Sequence, residues 1–95
     1  MILEFAKLFI KNDQIEAFIA VMPKAEAVIS KAKGFKSINF KRSVENPTTF
    51  VAMIEWETLE DHTVGFRESE LFPEWRAVIS PYFESAPEVE HFAIA

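Results

Sequence analysis

Two segments of this 95-residue chain, 2–10 and 49–57, alternate as β-strands do and carry apolar side chains on both faces. In the second segment, one face runs from Phe50 to Trp56 through every second residue, while Val51 belongs to the other face. A strand that is apolar on both faces has to be covered on both sides. The sequence therefore predicts a sheet that packs against helices on one face and against a second surface on the other.

A helical pattern follows the first of these strands. Its apolar repeat begins after a predicted cap at Asp13 and continues to about Lys33, where Gly34 is a suitable left-handed terminator. Pro23 interrupts the repeat. Because proline lacks an amide donor, we expect a kink or a break just before it.

Further strands are predicted at 35–44 and 88–95, and a second helical region is split into 59–69 and 70–79. The order β-α-β-β-α-β over one domain, 1–95, is that of an α+β ferredoxin-like fold, an antiparallel sheet with helices on one face. The chain is 49% hydrophobic and contains ten Phe, which is more apolar surface than one small domain usually buries. We therefore predict a homodimer whose two sheets pack face to face as a dimeric α/β barrel.

Composition excludes several classes of protein. The chain has no cysteine, and therefore no disulfide framework and no cysteine nucleophile or metal ligand. Its formal charge is −5 and its ten Lys and Arg residues are scattered, which argues against a nucleic-acid or membrane partner. The N-terminal apolar segment contains charged residues and resembles neither a signal peptide nor a spanning helix, so a cytoplasmic protein is expected.

The sequence offers little that would bind a cofactor. Gly34 and Gly65 are its two glycines, so a glycine-rich phosphate loop is excluded and a nucleotide cofactor is not expected. Its two histidines, His62 and His91, lack the spacing of metal ligands, and we expect the fold to separate them. We therefore predict no cofactor and no bound metal.

The segment 55–67 contains the strongest functional candidate, His62. The segment has the pattern of a strand end, a turn capped by Thr58, and a short helix. Helical spacing puts His62 on the inward face with Phe66, close to Trp56 at the strand end. A neutral imidazole in an apolar pocket can accept a phenolic proton or form a hydrogen bond with a bound carbonyl, and we predict that His62 is catalytic as the proton acceptor. The alternative is a core histidine bonded to a backbone carbonyl or a carboxylate.

Aromatic side chains close to His62 could form the walls of a flat pocket. Aromatic residues at helical spacing can equally belong to an ordinary hydrophobic core. We predict that a small apolar or aromatic molecule binds there. The candidate wall residues are Trp56, Phe66, Phe72, Trp75 and Tyr82.

The chain resembles the antibiotic biosynthesis monooxygenase domain of the dimeric α+β barrel superfamily. The order of its elements carries part of the resemblance, which covers essentially the whole chain. The more specific part is in the C-terminal half, in the residues Glu55-Trp56-Glu57, Asp61 to Arg67, Phe72, Trp75-Arg76, Pro81-Tyr82-Phe83 and Pro87 to Phe92.

The resemblance implies a ferredoxin-like fold, a homodimer, and a pocket in each subunit between sheet and helices. Some members oxidise aromatic phenols with O2 and use neither metal nor flavin. The haem-degrading members use an Asn, a Trp and a His, but segment 2–10 contains no Asn. Counting from Trp56, Gly65 and Trp75 occupy the positions expected for that Trp and His. The resemblance therefore implies cofactor-independent oxygenation of a small aromatic or phenolic compound. The alternatives are a non-catalytic binder of a small apolar metabolite or of haem, and a dimeric structural module with a filled core.

Overall fold

A four-stranded antiparallel sheet with helices on one face forms the protein, as the sequence predicts. The computed structural model describes residues 1–94. The strands occur in the order β2-β3-β1-β4, so that β1 and β3 are central. The elements are β1 (Ile2–Phe9), α1 (Ile15–Ile29), β2 (Phe35–Arg42), β3 (Thr49–Trp56), α2 (Leu71–Ile79) and β4 (Glu88–Ala93).

The alternation of β3 separates the two faces of the sheet. Phe50, Ile54 and Trp56 point toward the helices and are buried, while Val51 and Met53 lie half-buried on the opposite face. Strand β1 alternates in the same way, with Leu8 among its buried residues. The hydrophobic core thus lies between the sheet and the helices, and the prediction of two apolar faces is confirmed for both central strands.

Helix α1 is shorter than predicted and is not interrupted at Pro23. It ends at Ile29 rather than near Lys33, and it continues through Pro23 without a break. Proline removes the amide that would bond the Ile19 carbonyl, but both residues are exposed, so water can satisfy that carbonyl. The predicted cap at Asp13 is also wrong, because a short 3-10 helix precedes α1 and no side chain caps it.

Gly34 lies between α1 and β2 and contacts segment 55–67, which contains His62. Its φ of 81° lies in the left-handed region that favours glycine, as predicted. Its carbonyl accepts a hydrogen bond of 2.7 Å from the Glu57 amide. A Cβ at this position would collide with the Asp61 carboxylate. The close packing of Gly34 against Glu57 and Asp61 therefore helps to position the segment that follows β3.

The face of the sheet opposite the helices has an apolar central part that is only partly covered, and Lys7 and Glu55 lie on the same face. Phe5 and Phe92 make an edge-to-face contact there at 6.2 Å, and 44% of Phe92 is exposed. Leu3 and Met53 border a shallow depression on the same face. Strand β4 ends at Ala93 and does not include Ile94 as predicted, and Ala95 lies outside the described residues.

Candidate functional site

A partly open cavity of about 550 Å³ lies between the sheet and α2. This volume is in the range of roughly 300–1,000 Å³ that is usual for small-molecule sites. Its walls are mostly apolar side chains from β1, β3 and α2, and the carboxyl group of Glu4 and the imidazole of His62 are also part of its lining. The cavity is therefore an apolar space with a pair of titratable groups in its wall.

A π-helical turn, Asp61–Phe66, brings His62 to this cavity. The Thr58 hydroxyl accepts a hydrogen bond of 3.2 Å from the Asp61 amide, which confirms the predicted cap. His62 and Phe66 both face inward, and His62 is only 3% exposed. Turns of the π type are rare and often occur at functional sites.

Glu4 meets His62 from the sheet. It lies on β1 between Ile54 of β3 and His91 of β4, and it is only 5% exposed. The Trp56 indole N–H donates a hydrogen bond of 3.0 Å to Glu4 Oε1, and His62 Nε2 is 3.3 Å from the same oxygen. Both contacts use Oε1, so the second carboxyl oxygen of Glu4 has no part in them. A buried carboxyl group is thus held by one indole beside one imidazole.

His91 contacts the other ring nitrogen of His62, and Trp56 packs against the face of the ring. Its Nδ1 lies 2.7 Å from Nε2 of His91, a hydrogen-bond distance. Its ring stacks on Trp56 with 5.3 Å between centroids and 21° between planes. His91 is half-buried on the edge strand β4 and does not line the cavity. The three titratable side chains therefore form a row that begins at the cavity and ends at a partly solvated edge.

Burial determines the charge states in this row. Loss of water raises the pKa of Glu4 to about 7, against a smaller lowering by the Trp56 hydrogen bond. Loss of water also lowers the pKa of His62 to about 4 and lowers that of His91. The nearby guanidinium of Arg67 lowers all three pKa values. Near neutral pH, His62 is therefore an uncharged base beside a carboxyl group that is close to its midpoint.

The structure brings three of the five predicted wall residues to the cavity. Phe66, Phe72 and Trp75 line it. Trp56 is fully buried beneath the His62 ring and reaches Glu4 instead of the cavity. Tyr82 packs against Phe18 at 6.2 Å and does not line the cavity.

Two residues of the site were missed by reasoning from the sequence. Glu4 is the one charged residue on the otherwise apolar inward face of β1, and this placement is the signal in the sequence that could have identified it. The expectation that the fold separates His62 from His91 was wrong. The antiparallel pairing of β4 with β1 puts His91 opposite Glu4, where its ring reaches His62.

Within residues 1–94, the histidine and acidic side chains form no group of three that could surround a metal ion. His62 and His91 supply two nitrogens, and they are close enough to bond each other rather than to flank an ion. Over the same part of the chain, none of the helices combines the length and the apolar character that crossing a membrane requires.

Comparison with known proteins identifies relatives of this chain. The chain is 37% identical to the uncharacterised protein YczJ of Bacillus subtilis over 92 residues, which are 97% of either chain. The crystal structure of a Bordetella bronchiseptica protein named after the antibiotic biosynthesis monooxygenases matches with a TM-score of 0.95 and 30% identity, over 99% of this chain and 96% of that one.

A more distant structure shares the fold alone. It is a mutant of SnoaB, a cofactor-independent oxygenase of Streptomyces nogalater, with a TM-score of 0.80 and 13% identity over 98% of this chain and 91% of that one. The family model described as antibiotic biosynthesis monooxygenase matches residues 1–78. The protein therefore belongs to the antibiotic biosynthesis monooxygenase family.

Proposed function

We propose that the protein is a cofactor-independent monooxygenase that oxidises a small aromatic or phenolic compound with O2. The observation that carries the proposal is the apolar cavity with the Glu4–His62 pair in its wall. Flat aromatic walls suit a ring, and a buried neutral imidazole suits a weakly acidic hydroxyl. The activity in the name of SnoaB, a cofactor-independent oxygenase with the same fold, supports the same reading.

Removal of a proton prepares such a substrate for O2. A phenol loses its proton to His62 Nε2, and the resulting electron-rich phenolate can pass an electron to O2. A methylene carbon conjugated to the phenol then becomes a carbonyl. One oxygen atom enters the substrate and the other leaves as water, so the substrate itself supplies all the electrons. The proton taken at the start returns when water forms, and the reaction therefore needs no external reductant.

Glu4 tunes His62 for this step. When Glu4 is ionised, its Oε1, 3.3 Å from His62 Nε2, stabilises the imidazolium that forms as the proton arrives. When Glu4 is protonated, its hydroxyl can bond the same nitrogen and compete with the substrate. Because burial raises the pKa of Glu4 to about 7, we expect activity to rise with pH through about 7.

The working form that we propose is a homodimer in the cytoplasm. The sheet face opposite the cavity carries the apolar side chains of Phe5, Met53 and Phe92. A second copy packed there would cover it and leave the mouth of the cavity free. The mass in solution, measured by light scattering, tests this part, and a stable monomer would contradict it.

The first experiment measures O2 uptake by the purified protein with a panel of phenols and quinols, without added metal or flavin. His62→Gln keeps the volume of the side chain but removes the base, and should lower kcat by about 10²–10⁴-fold. Glu4→Gln should remove the rise of activity near pH 7. Glu26→Gln, on the exposed surface of α1, is the matched control and should behave as wild type.

Two other results would change the proposal. Full activity in His62→Gln would remove His62 from the mechanism, although the protein could still be an oxygenase. Tight binding of a phenol in the cavity without O2 uptake would favour the non-catalytic binder. A change in the absorption spectrum of added haem would show that the bound molecule is haem rather than another apolar metabolite.

A further inference from the structure

We propose that His91 is a proton relay that connects His62 to solvent at the β4 edge of the sheet. This inference rests on the proposed function, because it concerns the proton that His62 accepts. Three observations carry it: the 2.7 Å contact between the two rings, the contact of Glu4 with the opposite nitrogen of His62, and the half-buried position of His91 outside the cavity.

The two nitrogens of His62 have different neighbours. Nε2 faces the cavity side, where Glu4 lies, and Nδ1 faces His91. A histidine that only accepted a proton would need one of these nitrogens, with a fixed carboxylate or carbonyl on the other. Here the second partner is an imidazole, which can both accept and release a proton. The pair is therefore built to pass a proton on rather than only to orient His62.

The transfer balances without any added group. A proton from the substrate binds His62 Nε2, and the proton on His62 Nδ1 passes to His91 Nε2. His91 then releases its Nδ1 proton to water. One proton enters the row and one leaves it, and both rings end neutral with their tautomers exchanged. The same steps in reverse return a proton to His62 when the second oxygen atom leaves as water.

A relay is useful because a bound substrate would cover the inner end of the row. Glu4 and His62 are both nearly inaccessible, and an aromatic ring in the cavity would close their contact with water further. His91 lies on the edge strand, so it stays in contact with water while the cavity is filled. The exposed cation Arg67 disfavours a lasting positive charge on either ring, which helps the proton to leave.

Exchange of the His62 ring proton tests the relay without a substrate. The chain has two histidines, so ¹⁵N-histidine labelling gives a spectrum of four ring nitrogens. A ¹⁵N–¹⁵N coupling across the hydrogen bond should join His62 Nδ1 to His91 Nε2. In His91→Gln, which keeps an acceptor but cannot relay a proton, exchange of the His62 proton with water should become several-fold slower. Unchanged or faster exchange would overturn the relay, because His91 would then have no effect on the exchange or would protect the His62 proton from water.

Activity provides the second test. His91→Gln should lower kcat by about 10²-fold, the lower end of what positioned proton transfer contributes, with KM unchanged. Added imidazole should restore much of the loss, since a small base in solution can replace a relay but not a lost packing contact. A loss that imidazole does not restore would overturn the relay.

Glu88→Gln, an exposed change on the same strand, is the control and should be neutral in both experiments. If no phenol is oxidised by the wild type, the proposed function fails. The exchange experiment still decides whether the relay exists.

Discussion

Two aromatic clusters in the core of this protein look alike in sequence and differ in what they contain. One surrounds Phe18, which contacts Phe40, Phe50 and Tyr82 with ring centroids 5.2–6.2 Å apart. The other surrounds His62 and includes Trp56, Phe66, Phe72 and Trp75. The first is closed packing around a fully buried ring, whereas the second borders a cavity and holds a buried carboxyl group.

Aromatic spacing alone therefore does not predict a pocket. Tyr82 and Trp75 have equivalent places in the apolar pattern of the chain, but Tyr82 belongs to the closed cluster and Trp75 to the cavity wall. What separates the two clusters is Glu4, whose burial without a lysine or arginine in contact is costly for stability. A buried polar group that weakens the fold indicates a functional region more reliably than aromatic residues do.

The largest expected effect on stability comes from the closed cluster. Phe18→Ala should lower the free energy of unfolding by about 3–5 kcal/mol, because it empties a fully buried site. Chemical denaturation measures the loss, and Phe18→Leu gives a smaller one if the first variant does not fold. The ring resonances of His62 and His91 should stay unchanged in the folded variant. Large shifts in those resonances would show that the two clusters are coupled.

The second prediction concerns pH and separates the two members of the buried pair. Glu4 has its pKa raised from 4.5 to about 7, so it favours folding below pH 4.5 and loses that contribution as the pH rises through 7. His62 has its pKa lowered from 6.5 to about 4, so its contribution is present above pH 6.5 and is lost as the pH falls through 4. In the wild type these trends oppose each other.

Single variants should reveal how each residue makes the free energy of unfolding depend on pH. In Glu4→Gln, the free energy of unfolding should rise by about 3 kcal/mol between pH 4 and 6.5, and in His62→Gln it should fall by about 3 kcal/mol between pH 4.5 and 7. Urea denaturation at a series of pH values measures both. Glu26→Gln should follow the wild type. Equal slopes in the two variants would contradict the opposed shifts.

The smallest expected effect comes from the exposed cation at the site. Arg67 lowers the pKa values of His62, His91 and Glu4 through space, so Arg67→Gln should raise all three. NMR titration measures the changes, which should shrink at high salt because Arg67 is exposed. Arg42→Gln, which removes a cation lying 5.5 Å from the Phe50 ring in the closed cluster, should leave both histidines unchanged.

Much of the fold was open to prediction because its signals are local. Strand alternation in segments 2–10 and 49–57, the left-handed Gly34 and the Thr58 cap depend on neighbouring residues, and the structure agrees with each. The end of α1 was predicted wrongly, and α1 continues through Pro23 without the break that local preference favours, because the environment of the helix overrides that preference.

Local sequence pattern was sufficient to predict the order of elements, the two apolar faces of the central strands and the inward position of His62. These follow from periodicity, which any short window of the chain contains. Two features of the site depend on how the chain folds: His62 lies between Glu4 and His91, and the Trp56 indole donates its hydrogen bond to Glu4 and does not line the cavity. His62 and His91 are 29 positions apart, and their contact depends on the register of β4 against β1, which local pattern does not specify.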